Sequence, residues 1–203
     1  MKISSKIEIC NLALSRIGQN SISSLKDTSS VQAQFCNMIF EQAKSALLSQ
    51  YNWTFAIVAD KLNQIDNSED TFKEYDYKYA LPEGFLRLVC LYNDTNDIII
   101  QTPHTKPIFV LEGGFVFSDY PNCKLKYIKD IDNISIFSPL FIDCLVLDLA
   151  IRLTKLFNDS STYLQQLQVE YITQLEKAKQ SDCKQTTLSS IQSYPILFSS
   201  WGF

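Results

Sequence analysis

The residues that can do chemistry are few, and they are scattered along the sequence. His104 is the only histidine, and it lies between two prolines in QTPHTKP, which predicts an exposed loop. A nucleophile and base built on His104 would need Cys90, Cys123 or a serine to be brought near it by the fold. The sequence therefore favours a surface histidine, and it keeps a small hydrolase that uses a cysteine or His104 as an alternative.

Acidic pairs and a glycine pair are the other candidates for a site. The acidic pairs are Glu69 with Asp70, Asp94 with Asp97, and Asp130 with Asp132. Their spacing is not that of a calcium-binding loop, and solvated turns explain them better. Gly113-Gly114 is not followed by a lysine and a hydroxyl residue, as a phosphate-binding loop requires, so we interpret it as a turn that needs positive φ. We predict no metal, no cofactor and no catalytic residue.

The cysteines follow neither a zinc-binding nor a disulfide pattern. All six are spread over the chain without a close pair: Cys10, Cys36, Cys90, Cys123, Cys144 and Cys183. Structural zinc needs short clusters of ligands, and disulfide scaffolds are smaller and denser in cysteine. We therefore expect reduced thiols that behave mostly as small buried apolar groups.

Composition excludes several classes of protein. The chain has 203 residues, of which 46% are hydrophobic and 20% charged, enough for one domain or two small lobes. Its net charge of −4 gives no overall positive field for nucleic acid or anionic lipid. The first residues resemble no signal peptide, and no apolar run is as long as a membrane span, so we expect a protein made in the cytosol.

Four segments have apolar residues at helical spacing. They are predicted to run from Ser4 or Ser5 to Gly18, from Ser29 or Ser30 to about Gln50 or Tyr51, from Ser138-Pro139 through LFIDCLVLDLAIRLTKLF, and from Ser160 or Ser161 to Gln180. In the second helix the predicted apolar face consists of Val31, Phe35, either Met38 or Ile39, and Ala43 with Ala46 and Leu47. The third helix is apolar almost all round, which predicts burial on most sides.

Between the second and third helices the chain breaks into short segments typical of strands. These are YKYALP, FLRLVCLYN, DIIIQ, KPIFVLEGGFVFSD and CKLKYIKD, with a hairpin around Glu112-Gly113-Gly114. The predicted fold class is α+β, with an antiparallel helical bundle from both chain ends and one small inserted antiparallel β lobe. The predicted domains are a helical lobe of residues 1–51 and 137–181, a β-rich lobe of 52–136, and a C-terminal linker with an apolar docking arm at 182–203.

Three apolar features remain without a chemical role. Trp53 and Phe55, after the second helix, are predicted to fill a core position where the two lobes join. The end of the chain carries five large apolar residues after a polar stretch: Ile196, Leu197, Phe198, Trp201 and Phe203. Their burial would contribute about 1.5–3 kcal/mol each before entropy is subtracted, so we expect this arm to bind a partner surface.

The last helix carries its own apolar stripe, with charged residues at its edge. The stripe consists of Leu164, Leu167, Tyr171, Leu175 and Ala178, and the charged residues are Glu170, Glu176, Lys177 and Lys179. The stripe either forms a face between subunits or closes the bundle of its own subunit.

The order of these segments resembles a known family. EICNLALSRIG, SSLKD, LLSQYNWTFA, YALPEGFLRL, LEGGFVFSD and LKYIKDIDNISIFSPLFIDCLVLDLAIRLT occur in this order over about Ile7 to Lys179. The most specific pieces are WTFA, Leu81-Pro82, and the run from Tyr127 to Phe141. In order and spacing the chain is similar to phage head-to-tail adaptors, or connectors, of the tail tubular protein A type.

The resemblance implies a structural virion protein without enzymatic activity. Such adaptors form rings of twelve copies that join the portal protein to the tail tube or nozzle protein, and DNA passes through their channel without specific binding. The implied location is the head-tail junction of the virion, after assembly in the host cytoplasm, and the C-terminal arm would bind the portal or the neighbouring subunit. Another phage neck or tail-completion protein, or a generic oligomeric interaction protein, remains the main alternative.

Overall fold

The computed structural model describes residues 3, 5–67, 74–99, 107–157 and 161–192, with side chains up to residue 184. The helices are α1 (Lys6–Arg16), α2 (Val31–Ser49), α3 (Pro139–Phe157) and α4 (Ser161–Gln192). The strands are β1 (Ile57–Lys61), β2 (Asn63–Ile65), β3 (Tyr77–Ala80), β4 (Phe85–Tyr92), β5 (Phe109–Glu112), β6 (Phe115–Ser118) and β7 (Lys124–Lys129). Short 3-10 helices span Thr54–Ala56 and Ile134–Ile136.

The chain divides into two compact units. The first unit contains the residues up to Lys44 together with those from Asn133 onward, and the second unit runs from Ser45 to Asp132. The corresponding divisions predicted from the sequence lie after residues 51 and 136. In the structure α2 begins in the first unit and ends in the second.

Helix α1 begins and ends as its sequence predicts. The Ser5 side chain accepts a hydrogen bond from the Glu8 backbone N–H (3.2 Å), and the Glu8 carboxylate accepts one from the Ser5 N–H (3.1 Å). This capping box satisfies two backbone donors that the helix itself leaves unpaired. At the other end Gly18 has φ +70°, and the N–H of Gln19 donates to the Leu14 carbonyl. The left-handed cap is confirmed.

The caps of α2 and α3 are also serines, as predicted. Ser30 Oγ accepts a hydrogen bond from the Ala33 N–H (3.3 Å), and Ser138 Oγ accepts one from the Phe141 N–H (3.2 Å). Pro139 occupies the first position of α3, where its missing N–H costs nothing.

The first unit is built around α3. The side chains of α3 are buried on most of its circumference, and α1 and α4 both pack against it. Near its end Phe157 meets Phe35 of α2 edge to face, with 5.6 Å between ring centroids. The predicted burial of the third helix is confirmed, because an all-round apolar helix is stable only when neighbours cover it.

The second unit contains two antiparallel sheets. The first has the strand order β1-β7-β4, and the second has the order β2-β3-β6-β5. The predicted β5–β6 hairpin is present, with Leu111 opposite Val116 and with Gly113 and Gly114 at φ +58° and +85°. Only glycine adopts two such angles in succession without strain.

The predicted fold class is wrong. Over the described ranges the chain is α+β, with four helices and two antiparallel sheets of three and four strands, not a helical bundle from the chain ends with one small sheet. The difference arises at Leu62, the residue between β1 and β2. Leu62 is buried, and its N–H donates to the carbonyl of Cys123, the residue just before β7. After Leu62 the chain leaves β7 and pairs with β3, so one continuous segment supplies a strand to each sheet.

Two further differences concern individual strands. Strands β1 and β2 are not predicted from the sequence, because the region after Trp53 is recognisable there only as an aromatic segment. The described residues of the predicted strand DIIIQ form one isolated antiparallel bridge, between Ile98 and Tyr92, in place of a strand.

The two sheets share one apolar core. Its buried members are Leu62, Tyr79, Leu91, Ile99, Phe109, Val116, Cys123, Leu125 and Tyr127. The tyrosine hydroxyls inside it are satisfied, since Tyr79 donates to the Tyr120 carbonyl (2.8 Å) and Tyr127 donates to Asp60 Oδ2 (2.9 Å). Burial, and next the hydrogen bond to Asp60, raise the pKa of Tyr127 to about 12.

Trp53 is fully buried, which confirms its predicted core role. Its indole Nε1–H donates to the Leu47 carbonyl at the end of α2 (3.0 Å), and its ring stacks with that of Phe55. A buried tryptophan needs such a partner for its N–H. Its predicted place between the lobes stays a prediction.

The cap of α3 gives a direct test of this fold. Ser138→Ala should lower the free energy of unfolding by about 1 kcal/mol, because the Phe141 N–H loses its acceptor, whereas Ser138→Asp should stay near wild type. Chemical denaturation followed by circular dichroism measures both.

Ser135 is the matched control, because its hydroxyl is exposed and only its backbone N–H is bonded, to Asn133. Ser135→Ala should change stability by less than about 0.5 kcal/mol. Equal losses from both serines would contradict the assigned cap.

Candidate interaction surface on the first and last helices

The apolar stripe predicted on the last helix packs against α3 of the same chain. Leu167, Leu175 and Ala178 are buried, and Leu164 and Tyr171 are half-buried, where α4 packs along α3. Of the two hypotheses for this stripe, the structure supports closure of the chain's own first unit. The stripe is therefore unavailable to a partner.

A different face of α4 carries exposed aliphatic residues. Val169 and Ile172 are 65% and 61% exposed, and their spacing of three places them on one side of the helix. Val169 also lines a shallow hollow of about 420 Å³ with Thr162, Gln165, Gln166 and Glu170. This exposed pair was not predicted from the sequence. Two β-branched residues that lie outside the predicted stripe could have indicated a second apolar face on the helix.

Helix α1 adds a third exposed aliphatic residue. Leu12 is 41% exposed, and it lines a second hollow of about 420 Å³ with Ile3, Glu8, Asn11 and Ser15. Leu12 lies one helical turn before Arg16, so the two side chains share a face of α1.

Polar contacts tie these two helices together. Arg16 Nη1 lies 2.9 Å from Glu170 Oε1, and the Tyr163 hydroxyl donates a hydrogen bond to the Arg16 carbonyl. An exposed ion pair contributes about 0–1 kcal/mol, so its main effect here is positional. It brings the last turn of α1 to the side of α4 that carries Tyr163 and Glu170, and Val169 precedes Glu170 along that helix. We call the exposed aliphatic residues of the two helices, Leu12, Val169 and Ile172, the α1/α4 surface.

The other charged residues predicted at the edge of α4 have separate positions. Glu176 forms an ion pair with Lys179 one turn further on (2.9 Å), and Lys177 is exposed.

Helix α4 also continues past the predicted end at Gln180 to Gln192. The sequence after Gln180 contains no glycine or proline up to Gln192. A helix can therefore continue into residues for which a linker was predicted.

Helix α2 carries a second exposed row. Val31 and Met38 are 51% and 65% exposed, seven residues apart on one side, whereas Ile39 is buried. The apolar face predicted for α2 is therefore wrong at Val31, and of the two alternatives Met38 and Ile39 it is Ile39 that is buried. The buried apolar side chains of α2 include Ala33, Cys36, Ile39, Phe40, Ala43, Leu47 and Leu48, which confirms the predicted Ala43 and Leu47. We call Val31 and Met38 the α2 row.

The candidate residues for chemistry and for the docking arm lie elsewhere. His104 and the five arm residues Ile196, Leu197, Phe198, Trp201 and Phe203 fall outside the described residues. Within the described ranges no group of three or more His, Cys, Asp or Glu side chains is placed to hold a metal ion. In the same ranges no helix is long and apolar enough to cross a membrane.

The cysteines behave mostly as predicted. All six are unbridged; Cys10, Cys36, Cys123 and Cys144 are buried, and Cys183 is exposed. Burial raises the pKa of Cys123, and burial followed by the nearby Asp143 charge raises the pKa of Cys144 to about 12. Such thiols are poor nucleophiles at neutral pH, because the thiolate is the reactive form.

Thiol labelling tests this assignment. In the native protein Cys183 should react rapidly with a chromogenic disulfide reagent, while Cys123 and Cys144 should react only after unfolding. Cys183→Ser should remove the fast phase, as seen by the absorbance change and by peptide mass mapping. Fast labelling of Cys123 would instead favour the hydrolase alternative.

Known proteins provide no assignment for this surface. No protein-family model matches the chain, and no curated protein sequence matches it.

Proposed function

We propose that this chain is the subunit of a phage head-to-tail adaptor ring that joins the portal to the tail tube or nozzle. Its work is mechanical joining through protein surfaces, and DNA passes through the channel of the ring. The proposal draws on the order of sequence segments that resemble such adaptors. The observation that carries it is the α1/α4 surface.

The exposed side chains favour a contact between subunits. Leu12, Val169 and Ile172 lie outside the core of the first unit, although leucine, valine and isoleucine gain about 1.5–3 kcal/mol each on full burial. Arg16 and Glu170 hold the two helices that carry them in a fixed relation. A preformed apolar surface loses little conformational entropy when a partner covers it.

A ring also needs a second, different face on the same subunit. Cyclic assemblies of more than two copies use head-to-tail contacts, in which two unlike surfaces meet. The α2 row is such a surface, since Val31 and Met38 belong to another helix of the first unit. We propose that the α1/α4 surface of one copy contacts the α2 row of its neighbour.

The C-terminal arm would contribute a further contact. Ile196, Leu197, Phe198, Trp201 and Phe203 are proposed to dock on the portal or on the adjacent subunit when the ring assembles. The cost of ordering such a segment is met by the many contacts of an assembly.

Replacing the exposed aliphatic pair should weaken assembly. Val169→Gln with Ile172→Gln should weaken subunit association by about 10–100-fold, because two aliphatic side chains lose their burial in the interface. Size-exclusion chromatography with light scattering, alone and with purified portal, measures the change.

The control variant alters α4 without altering its apolar surface. Gln168→Ala with Lys177→Ala changes two exposed polar positions and should assemble like wild type. Equal assembly of the Val169/Ile172 variant and wild type would count against the α1/α4 surface.

Deletion of Ser193–Phe203 tests the arm separately. The shortened chain should keep its circular dichroism spectrum and lose binding to purified portal or to the ring, since the arm is assigned to a partner. Unchanged binding would exclude a docking role. Loss of folding would assign the arm to the chain's own core.

A further inference from the structure

The three-stranded sheet carries four cations on the face opposite the shared core, where Lys61 is exposed and Arg87, Lys124 and Lys126 are half-buried, while Ile128 on the same face is fully buried. Lys124 and Lys126 alternate along β7 with the buried Leu125 and Tyr127, so they point away from the shared core. Across the sheet Lys61 of β1 lies opposite Lys124, and Arg87 of β4 lies opposite Ile128 two residues beyond Lys126. Residues directly opposite share a face. We call Arg87, Lys61, Lys124 and Lys126 the basic face.

This clustering is unfavourable within the isolated chain. Like charges directly opposite each other destabilise a strand pair, and Lys61 with Lys124 is such a pair. The polar contacts of Lys124 and Arg87 are with neutral amides, Asn96 Oδ1 and Asn52 Oδ1, each at 2.5 Å. Within the described ranges none of the four cations forms an ion pair with a carboxylate. Four such cations in a chain of net charge −4 indicate an anionic partner.

The four-stranded sheet of the same unit carries an acidic cleft. The cleft has a volume of about 130 Å³ and is lined by Glu74, Tyr75, Val110, Glu112 and Phe117. Val110 lies opposite Phe117 across β5 and β6, on the face that also carries Lys78. We call this site the Glu74/Glu112 cleft.

A lysine of the same chain lies over Phe115 and over Phe117, the aromatic wall of the cleft. Lys78 Nζ lies 4.5 Å from the ring centroid of Phe115 and 5.5 Å from that of Phe117. An aromatic face with carboxylates beside it favours a cation through the ring quadrupole and charge-assisted hydrogen bonds. Glu112 and Glu74 are exposed at its edges, so a second lysine can approach from outside.

We propose that the basic face of one copy docks on the Glu74/Glu112 cleft of a neighbouring copy, with a lysine ammonium between the two carboxylates and beside Phe117. The contact is head-to-tail, because the basic face and the cleft lie on different sheets of one unit. Complementary charge of this kind fixes the register of an interface and speeds association. The contact rests on the proposed ring, whose helical contacts are separate from it.

The main rival for the basic face is DNA. Four cations are few for a phosphate-dominated interface, where about 6–10 contacts are usual, and the net charge of −4 opposes DNA at longer range. A neighbouring copy supplies carboxylates and an aromatic wall in a cleft of defined shape. The observations therefore favour a second copy of this chain.

Charge reversal on both sides tests the contact. The basic-face variant carries Lys61→Glu and Lys126→Glu, and the cleft variant carries Glu74→Lys and Glu112→Lys. Each alone should associate at least about 10-fold more weakly than wild type, since like charges then meet. An equimolar mixture should recover wild-type association, because each altered face then finds an opposite charge. Analytical ultracentrifugation at low and high salt measures all four samples.

The controls separate charge from fold and from nucleic acid. Lys26→Glu with Lys184→Glu changes the net charge as the basic-face variant does, but at exposed positions outside the proposed contact. It should leave association unchanged. Native circular dichroism of each variant excludes misfolding. Failure of the mixture to recover association overturns the proposal, as does a short DNA duplex that wild type retards and the basic-face variant does not.

The outcomes also distinguish this contact from the proposed function. If charge reversal has no effect while the Val169/Ile172 variant fails to assemble, the contact is wrong and the adaptor ring stands. If wild-type copies do not associate with each other, with or without portal, both proposals fail.

Discussion

The need to cover α3 on nearly every side determines the surface of the first unit. Its apolar residues encircle the helix, so α1 and α4 must both lie against it. That requirement turns the stripe of Leu167, Leu175 and Ala178 inward. Val169 and Ile172 are left outside by the same rotation of α4, and the Arg16–Glu170 ion pair joins α1 to a different side of α4. The exposed aliphatic surface is thus a consequence of how the core is closed.

In the second unit the two-residue alternation of strands has a comparable effect. Leu125 and Tyr127 face the core shared by the two sheets, so Lys124 and Lys126 lie on the opposite face of the three-stranded sheet, where both are half-buried. The switch at Leu62 gives the unit two sheets and therefore two outer faces. One of these faces is basic, and the other carries the Glu74/Glu112 cleft. A subunit with two unlike faces can join copies in a closed ring.

Local features were predictable from sequence where a single residue decides them. Ser5, Ser30 and Ser138 cap helices because their hydroxyls reach backbone N–H groups, and Gly18 ends α1 because it accepts positive φ. The sheet division was not predictable in this way. The division depends on pairing between β1 and β7, which are far apart in sequence. In addition, β1 has no clear alternation of apolar and polar residues by which a strand could be recognised.

The candidate surface was predictable only in part. The sequence identified α4 as a helix with an apolar stripe, but periodicity alone does not show which of two apolar faces a neighbouring helix covers. Val31 illustrates the same limit, since its apolar character suggested burial and the packing of α2 leaves it exposed. The basic face required the register of three strands, because Lys61 and Lys124 are brought together only by the β1–β7 pairing.

We propose that copies of this chain join head-to-tail through unlike faces of each copy. Single-particle electron microscopy of the full-length protein mixed with purified portal is the most direct test. We expect a closed ring of this protein with cyclic symmetry, stacked coaxially on one end of the portal. Isolated monomers, or a two-fold dimer that pairs identical faces, would contradict it.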